Sequence, residues 1–307
     1  MVSTDKRNRS RWVEPTASPL PFRVFNSILM FLLSALFVTP FLLIAIASFT
    51  QETEIGAKGF QFFPSMLTTY NYQYLFGVSD KFTRALGVTV GLTIIGTVNT
   101  LFFTSLGAYS LSRKYLPYRK VMTFYVFLTM LINGGLIPWY MMVKSLGMVD
   151  TLFALFIPGT IATWNLIVMR NSFMALPESL EESAKIDGAG DFTVFFRIIL
   201  PISTPILATM VVYLAVGYWN EWYAPMIFII RRTELHTLQY LLREIFTSNA
   251  SMNSRGAIDL RAANKQAIPS ESLKMAAVMV ATVPILCVYP FLQKYFVHGI
   301  MIGSIKE

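Results

Sequence analysis

The sequence predicts an all-α, polytopic membrane protein with six transmembrane helices. Three observations carry this. Of 307 residues, 54% are hydrophobic, 25 of them Phe, and only 14% are charged, against roughly a quarter charged in a soluble domain. A soluble chain would leave large apolar patches in water, whereas a bilayer solvates them. The apolar residues also gather in six stretches near the ~20 residues that cross a membrane as helix. Finally, the basic residues crowd into alternate connections, as Lys and Arg do on the cytoplasmic side of membrane proteins.

The segment 1–24 is basic, with Lys6, Arg7, Arg9, Arg11 and Arg23. The first stretch, 25–49, follows it, and Ala45-Ile46-Ala47 looks like a signal-peptide cleavage site. The run is longer than the 7–15 residues of a signal h-region, so it is read as a retained span. The other stretches are 84–110, 121–143, 151–171, 202–230 and 273–296, and Pro225 favours a break near the end of the fifth. The connection with Arg113, Lys114, Arg119 and Lys120, the one with Arg170, Lys185 and Arg197, and the tail with Lys294 and Lys306 would share the side of the N-terminus. Both termini are therefore expected in the cytoplasm. The connections 50–83 and 144–150 fit the outside. The connection 231–272 fits less well, because it carries Arg231, Arg232, Arg243, Arg255, Arg261, Lys265 and Lys274; it is kept outside. Leu238, Leu241, Leu242, Ile245 and Phe246 predict a short amphipathic helix at 235–247 there, ahead of a polar loop over 249–264. The domain plan is a cytoplasmic segment 1–24, a six-span domain 25–297 holding a loop 178–201, and a cytoplasmic tail 298–307.

Several classes of chemistry find no residues to support them. The net charge of +8 is spread between apolar runs rather than gathered in a patch, which argues against nucleic acid. Cys287 is alone and reads as a small apolar residue. His236 and His298 lie near span ends, with no spacing suited to metal or general-base work, so no catalytic or metal residue is assigned. There is no phosphate loop, not even a Gly-Lys pair. A secondary transporter would show inverted repeats and ion-coupling carboxylates, and no repeat is visible.

The loop after the fourth span has its own pattern. Ser179 and Glu182 make a capping box for a helix over 180–187, and Gly188 can end it with positive φ. Asp191 can cap a second helix with Phe192, Phe195, Phe196 and Ile199 on one face. Small residues at Ser183, Ala184, Gly188, Ala189 and Gly190 would let another surface approach, and Glu181, Glu182 and Asp187 offer partners for basic groups. On these grounds alone, a docking site and an ordinary solvated loop are equally open.

Glu182, Ala184, Gly188, Ile198, Leu200 and Pro201, at their spacing and just before the fifth span, resemble the EAA loop of bacterial ABC importer permeases. Ser183 departs from the pattern, small for small. Asn133-Gly134-Gly135-Leu136-Ile137-Pro138, Trp219-Asn220-Glu221-Trp222 and the Gly-containing tail from His298 are similar to MalG-like carbohydrate permeases of the oligo- and polysaccharide branch. The resemblance implies a MetI-like permease fold in a bacterial inner membrane. It implies a coupling set of Glu182, Ser183, Ala184, Asp187, Gly188, Ala189, Leu200 and Pro201 that enters a cleft of an ATPase. The implied partners are a second permease subunit, forming a heterodimer, two ATPase subunits that bind ATP and magnesium, and an extracytoplasmic solute-binding protein. This chain would hold no cofactor.

Charged residues inside spans are costly and mostly functional. Glu221, with Trp219, Asn220 and Trp222, could line a sugar path, as could Asn133 in an irregular third span. The alternatives stay open: the tryptophans as an interfacial belt, and Gly134 and Gly135 as close helix packing. A permease for a non-sugar solute is the remaining rival.

Overall fold

A computed structural model describes residues 19–78, 80–253 and 271–304. The expected basic residues Lys6, Arg7, Arg9, Arg11, Arg255, Arg261, Lys265 and Lys306 lie outside the described residues. Among the described residues there is no strand, only an isolated bridge between Thr50 and Leu67.

The described residues open with α1 (Leu20–Ser48), which runs unbroken through the candidate cleavage site. Two short helices, α2 (Glu52–Lys58) and α3 (Tyr70–Gln73), lead to the long α4 (Asp80–Ser112). The third expected span is broken into α5 (Arg119–Leu131) and α6 (Leu136–Ser145), set 115° apart. The break has a local cause. Asn133 Oδ1 accepts the Gly135 N–H at 2.8 Å, and Gly135 adopts φ +86°, which glycine reaches without a Cβ clash.

The fourth expected span is also divided, into α7 (Phe153–Phe156) and α8 (Thr163–Met174). Pro158 and Gly159 lie in the irregular stretch between them. Its polar groups are met from α4: Asn99 Nδ2 donates to Thr160 Oγ1 at 2.7 Å, and Thr104 Oγ1 donates to Thr160 O at 3.2 Å. Non-helical backbone at this depth survives only when protein satisfies it in this way.

Beyond α9 (Ser179–Ile186) come α10 (Asp191–Val194), a π-helical turn over Phe195–Ile199 and α11 (Leu200–Ile202). The chain then bends by 81° into α12 (Thr204–Trp219). The fifth span breaks at 220–222, upstream of Pro225. That proline sits in the first turn of α13 (Tyr223–Phe228), where its missing N–H costs nothing. The amphipathic helix is present as α14 (Leu238–Asn253), which extends into residues expected as loop, and α15 (Glu271–Ser304) is the last described helix. Among the described residues three helices, α1, α4 and α15, are long and apolar enough to cross a membrane alone, and the two bent pairs raise this to five.

α4 is the spine. Its Ala108 and Tyr109 join a core with Phe173, Ala184, Phe195 and Met210, its Leu92 joins one with Val143, Phe156 and Phe228, and its Phe82 joins one with Leu238, Ala276 and Ala277. Between these, its buried face is small: Thr89, Gly96, Thr100 and Thr104. Small residues let backbones approach closely in a membrane. At Gly96 a Cβ would stand 2.7 Å from the Tyr218 ring of α12, and the Tyr218 hydroxyl pairs with Thr100 Oγ1 at 2.7 Å.

The connections sort into two ends. Where α4 finishes, Arg170 Nε of α8 donates to Leu111 O at 3.0 Å, beside the α9 loop. Where α4 begins, Leu238 N donates to Thr89 Oγ1 at 2.8 Å, and the Glu52 carboxylate accepts the N–H groups of Glu271 and Ser272 at the start of α15. Asp150, between α6 and α7, accepts the N–H groups of Ile230 and Arg231 at 2.7 and 2.8 Å. Those amides hold its carboxyl below the usual range despite partial desolvation.

Candidate functional site

The α9 loop folds as the helix pair expected, with different ends. The capping box does not form. Glu178, not Ser179, is the N-cap, and it is already helical, with φ −65° and ψ −28°. Its carboxylate reaches Lys114 Nζ at 2.5 Å, and Ser179 is the first residue inside the helix. Gly188 does end the helix, with φ +83°. Asp191 does not cap α10 with its side chain; it accepts instead from Tyr115 Oη at 2.8 Å and Lys185 Nζ at 3.3 Å. At Asp191 a partner distant in sequence, Tyr115, takes the carboxylate that would have capped the helix.

The loop has two faces. Ala184, Val194, Phe195 and Ile199 are buried against α4, α8 and α12, with Leu200 and Ala189 packed at the margin. Phe192 and Phe196, expected on the same face, are exposed. Glu182, Ser183, Asp187, Gly188 and Pro201 are exposed as well. By helical spacing Glu182, Ser183 and Asp187 share one side of α9 with Ile186, an 86% exposed isoleucine at the end of the helix.

Glu181 points the other way and is buried. It ion-pairs with Arg113, accepts from Lys185 Nζ at 3.0 Å and accepts from Tyr115 Oη at 3.0 Å. Burial pushes its carboxyl up, but hydrogen bonds from Arg113 and Lys185 outweigh this and hold it below the ordinary range. Burial also pushes the Tyr115 hydroxyl up, and its bonds to Asp191 and Glu181 add to that. Sequence reasoning named Glu181 only as one of three available acids and gave Arg113 only a topological role. A basic residue at the end of one span opposite an acid in the next connection on the same side was the available signal.

The second candidate region is a groove of about 890 Å³ between α7, α8, α12 and α13. That size suits a small organic ligand. Asn220 and Glu221 line it, together with Trp164, Tyr213, Tyr218 and Tyr223. Trp164 and Tyr213 pair with ring centroids 5.3 Å apart. Glu221 Oε1 accepts the N–H groups of Tyr223 and Ala224 at 2.8 and 2.9 Å, so this carboxylate starts α13. The flanking tryptophans turn elsewhere. Trp219 Nε1 donates to Ala281 O at 3.0 Å, and Trp222 lies under the Arg243 guanidinium, 3.5 Å from its ring centroid. Asn133 is outside the groove, at the α5–α6 break. The structure thus brings two of the five expected path residues to the groove and supplies five aromatic ones that motif reading missed, Trp139 among them, because they are scattered between positions 139 and 223.

No family model matches the chain. Protein LplC of Bacillus subtilis is 40% identical over 290 residues, spanning 93% of this chain and 95% of LplC. The polygalacturonan/rhamnogalacturonan transport system permease protein YtcP of the same organism is 40% identical over 284 residues, spanning 92% and 96%. Among solved structures, a chain of a bacterial ABC transporter involved in the import of the acidic polysaccharide alginate is similar with a TM-score of 0.78 and 27% identity, over 90% of this chain and 96% of that one. A chain of the alginate transporter in complex with an alginate pentasaccharide-bound periplasmic protein shares the fold, with a TM-score of 0.55 at 16% identity. Two relatives at 40% identity over more than nine-tenths of both chains show that this chain belongs to the permease subunits of carbohydrate ABC importers.

Proposed function

We propose that the chain forms half of the translocation path of an ATP-driven importer for an oligo- or polysaccharide, and that its α9 loop receives the stroke of a partner ATPase. The observation that carries this is the two-sidedness of α9. Ala184 and Glu181 are locked to the bundle, while Glu182, Ser183, Asp187 and Gly188 are presented together on its outer side. A solvated loop has no need of a buried ion pair on its inner face. The chain has no phosphate loop, so ATP and magnesium belong to two partner ATPase subunits, and the strokes rock the helices between two packings.

A relative named for polygalacturonan and rhamnogalacturonan, and a similar structure from an alginate importer, support a saccharide cargo. The periplasmic protein in the alginate complex supports a solute-binding partner here, and a second, different permease subunit would complete the path. Sidedness follows the same reading. The α9 loop faces the cytoplasm. α1 ends and α15 begins at the opposite end of the bundle, where Glu52 holds the first turn of α15, and this supports cytoplasmic termini. Asp150 ties 230–231 to the connection after α6, which supports an outside position for 231–272. Asn220 and Glu221 would serve the path from the groove; Trp219, Trp222 and Asn133 would act through helix placement.

The test is Glu182→Lys and Gly188→Asp in a strain that depends on the importer. Uptake should collapse while the subunit still inserts. Unchanged uptake, with the ATPase still co-purifying, would overturn the docking role.

A further inference from the structure

The acid that motif reading singles out in α9 is Glu182, which faces outward. The acid that the bundle holds is its neighbour. Glu181 is 6% exposed and its partner Arg113, 68 residues earlier at the end of α4, is 8% exposed. Arg113 is itself fixed to two elements: Nε donates to Ser112 Oγ at 2.9 Å and Nη2 donates to Phe173 O, the last turn of α8, at 3.3 Å. Around this pair, Tyr115 Oη bridges Glu181 and Asp191 at 3.0 and 2.8 Å. Lys185 bridges the same two acids from the other side, its ammonium 3.7 Å from the Tyr115 ring centroid.

A buried ion pair is a poor way to gain stability, because desolvating two charges offsets most of their attraction. What it gives is direction. Charge-assisted hydrogen bonds are short and angle-dependent, whereas apolar contacts tolerate sliding. The apolar contacts of Ala184 would hold α9 against the bundle without fixing its angle. Glu181, bonded from α4, from the α4–α5 connection and from its own helix, fixes that angle.

We propose that Glu181 is a positioning residue of the importer. Through Arg113 it makes α9 and the ends of α4 and α8 one rigid joint, so that a push on the outer face of α9 is delivered to the helix that runs through all three cores. This rests on the reading that α9 docks on the ATPase. The joint acts on the yield of the stroke, not on docking, and that separates it from Glu182 and Gly188.

The test uses the complete importer in proteoliposomes, with its binding protein and whichever of labelled oligogalacturonides, oligoalginates or arabinooligosaccharides stimulates wild-type ATP hydrolysis. Uptake and hydrolysis are measured together. In Glu181→Gln the ATPase should still co-purify and hydrolysis should persist, while uptake per ATP falls about tenfold, within the range of coupling changes that single residues produce. Tyr115→Phe, which removes only the bridging hydroxyl, should lower the same ratio about threefold. Arg113→Lys, which keeps the charge, should lose less than Arg113→Gln. Uptake per ATP within about twofold of wild type in both Glu181→Gln and Tyr115→Phe overturns the proposal. So does a parallel loss of uptake, hydrolysis and complex yield in both, the signature of a merely structural role. If the wild-type chain fails to co-purify an ATPase, the docking reading falls and takes the joint with it; if docking stands and the ratio does not move, only the joint falls.

Discussion

Glu181 and Glu221 are both acids at helix junctions in a chain with few charges, and they are used in opposite ways. Glu181 is bonded by side chains from distant parts of the sequence, and its charge is neutralised by Arg113. Glu221 is bonded by the backbone two and three residues ahead of it, and what it stabilises is the start of α13. The first joins elements; the second shapes one. A tie between elements can transmit force. A local cap leaves its second oxygen for whatever enters the groove.

The comparison can be broken by removing partners. Arg113→Ala should be the most damaging change, because it strands the Glu181 carboxylate in a buried site. Loss of one partner of a buried pair costs about 3–5 kcal/mol, and the remaining Lys185 bond places this case toward the lower end. Thermal unfolding of the purified subunit in detergent would read it. A cost smaller than that of Glu221→Ala would invert the contrast.

Acid should act on the same joint more gently. Glu181 and Asp191 are both held below their ordinary values, Asp191 chiefly by the Tyr115 hydrogen bond. Their contribution is therefore fully present above the unperturbed carboxylate values of 4.5 and 3.8, and it is lost as pH falls through the lowered native ones. Unfolding temperature should decline below those values in the wild type and decline less in Glu181→Gln. Equal slopes would remove Glu181 from the account.

Glu221→Ala removes a helix cap and should cost about 0.5–2 kcal/mol, while Glu221→Gln, which keeps the acceptor oxygen, should unfold near wild type. If Glu221→Gln also transports normally, the carboxylate is structural alone; if uptake falls without loss of stability, its free oxygen serves the groove. Tyr218→Phe is the smallest change, losing one interhelical hydrogen bond to Thr100 worth about 0.6 kcal/mol in a membrane protein. A loss several times larger would mean that Tyr218 supports the groove wall as well.

Much of the fold could be read from the sequence, because hydropathy reports burial in lipid directly. The placement of α1, α4 and α15, the amphipathic α14 and the termination of α9 at Gly188 all follow from length, periodicity and one glycine. What hydropathy cannot report is a break inside an apolar run. Asn133-Gly134-Gly135 signalled irregularity, but Pro158-Gly159 was hidden between apolar neighbours, and the fifth span breaks at Asn220 rather than near Pro225. The second cap failed for a related reason. Asp191 has the right local chemistry, but Tyr115 and Lys185 take its carboxylate, and only the folded chain brings Tyr115 there. The same holds for the groove, where Asn220 and Glu221 stood out as a motif and Trp164 and Tyr213 did not.

The crossing at Gly96 carries a consequence for how this family can vary. Because the Tyr218 ring fills the space where a Cβ would go, neither position can drift alone. A methyl at 96 demands a smaller or redirected residue at 218, and a glycine at 96 facing a small residue at 218 leaves a void. Replacing tyrosine by phenylalanine gives no relief, since ring carbons make the contact. Across relatives, the two positions should therefore change as a pair, with glycine kept wherever an aromatic ring is kept, and a chimaera that exchanges α4 without α12 should fail to assemble where the pairs differ.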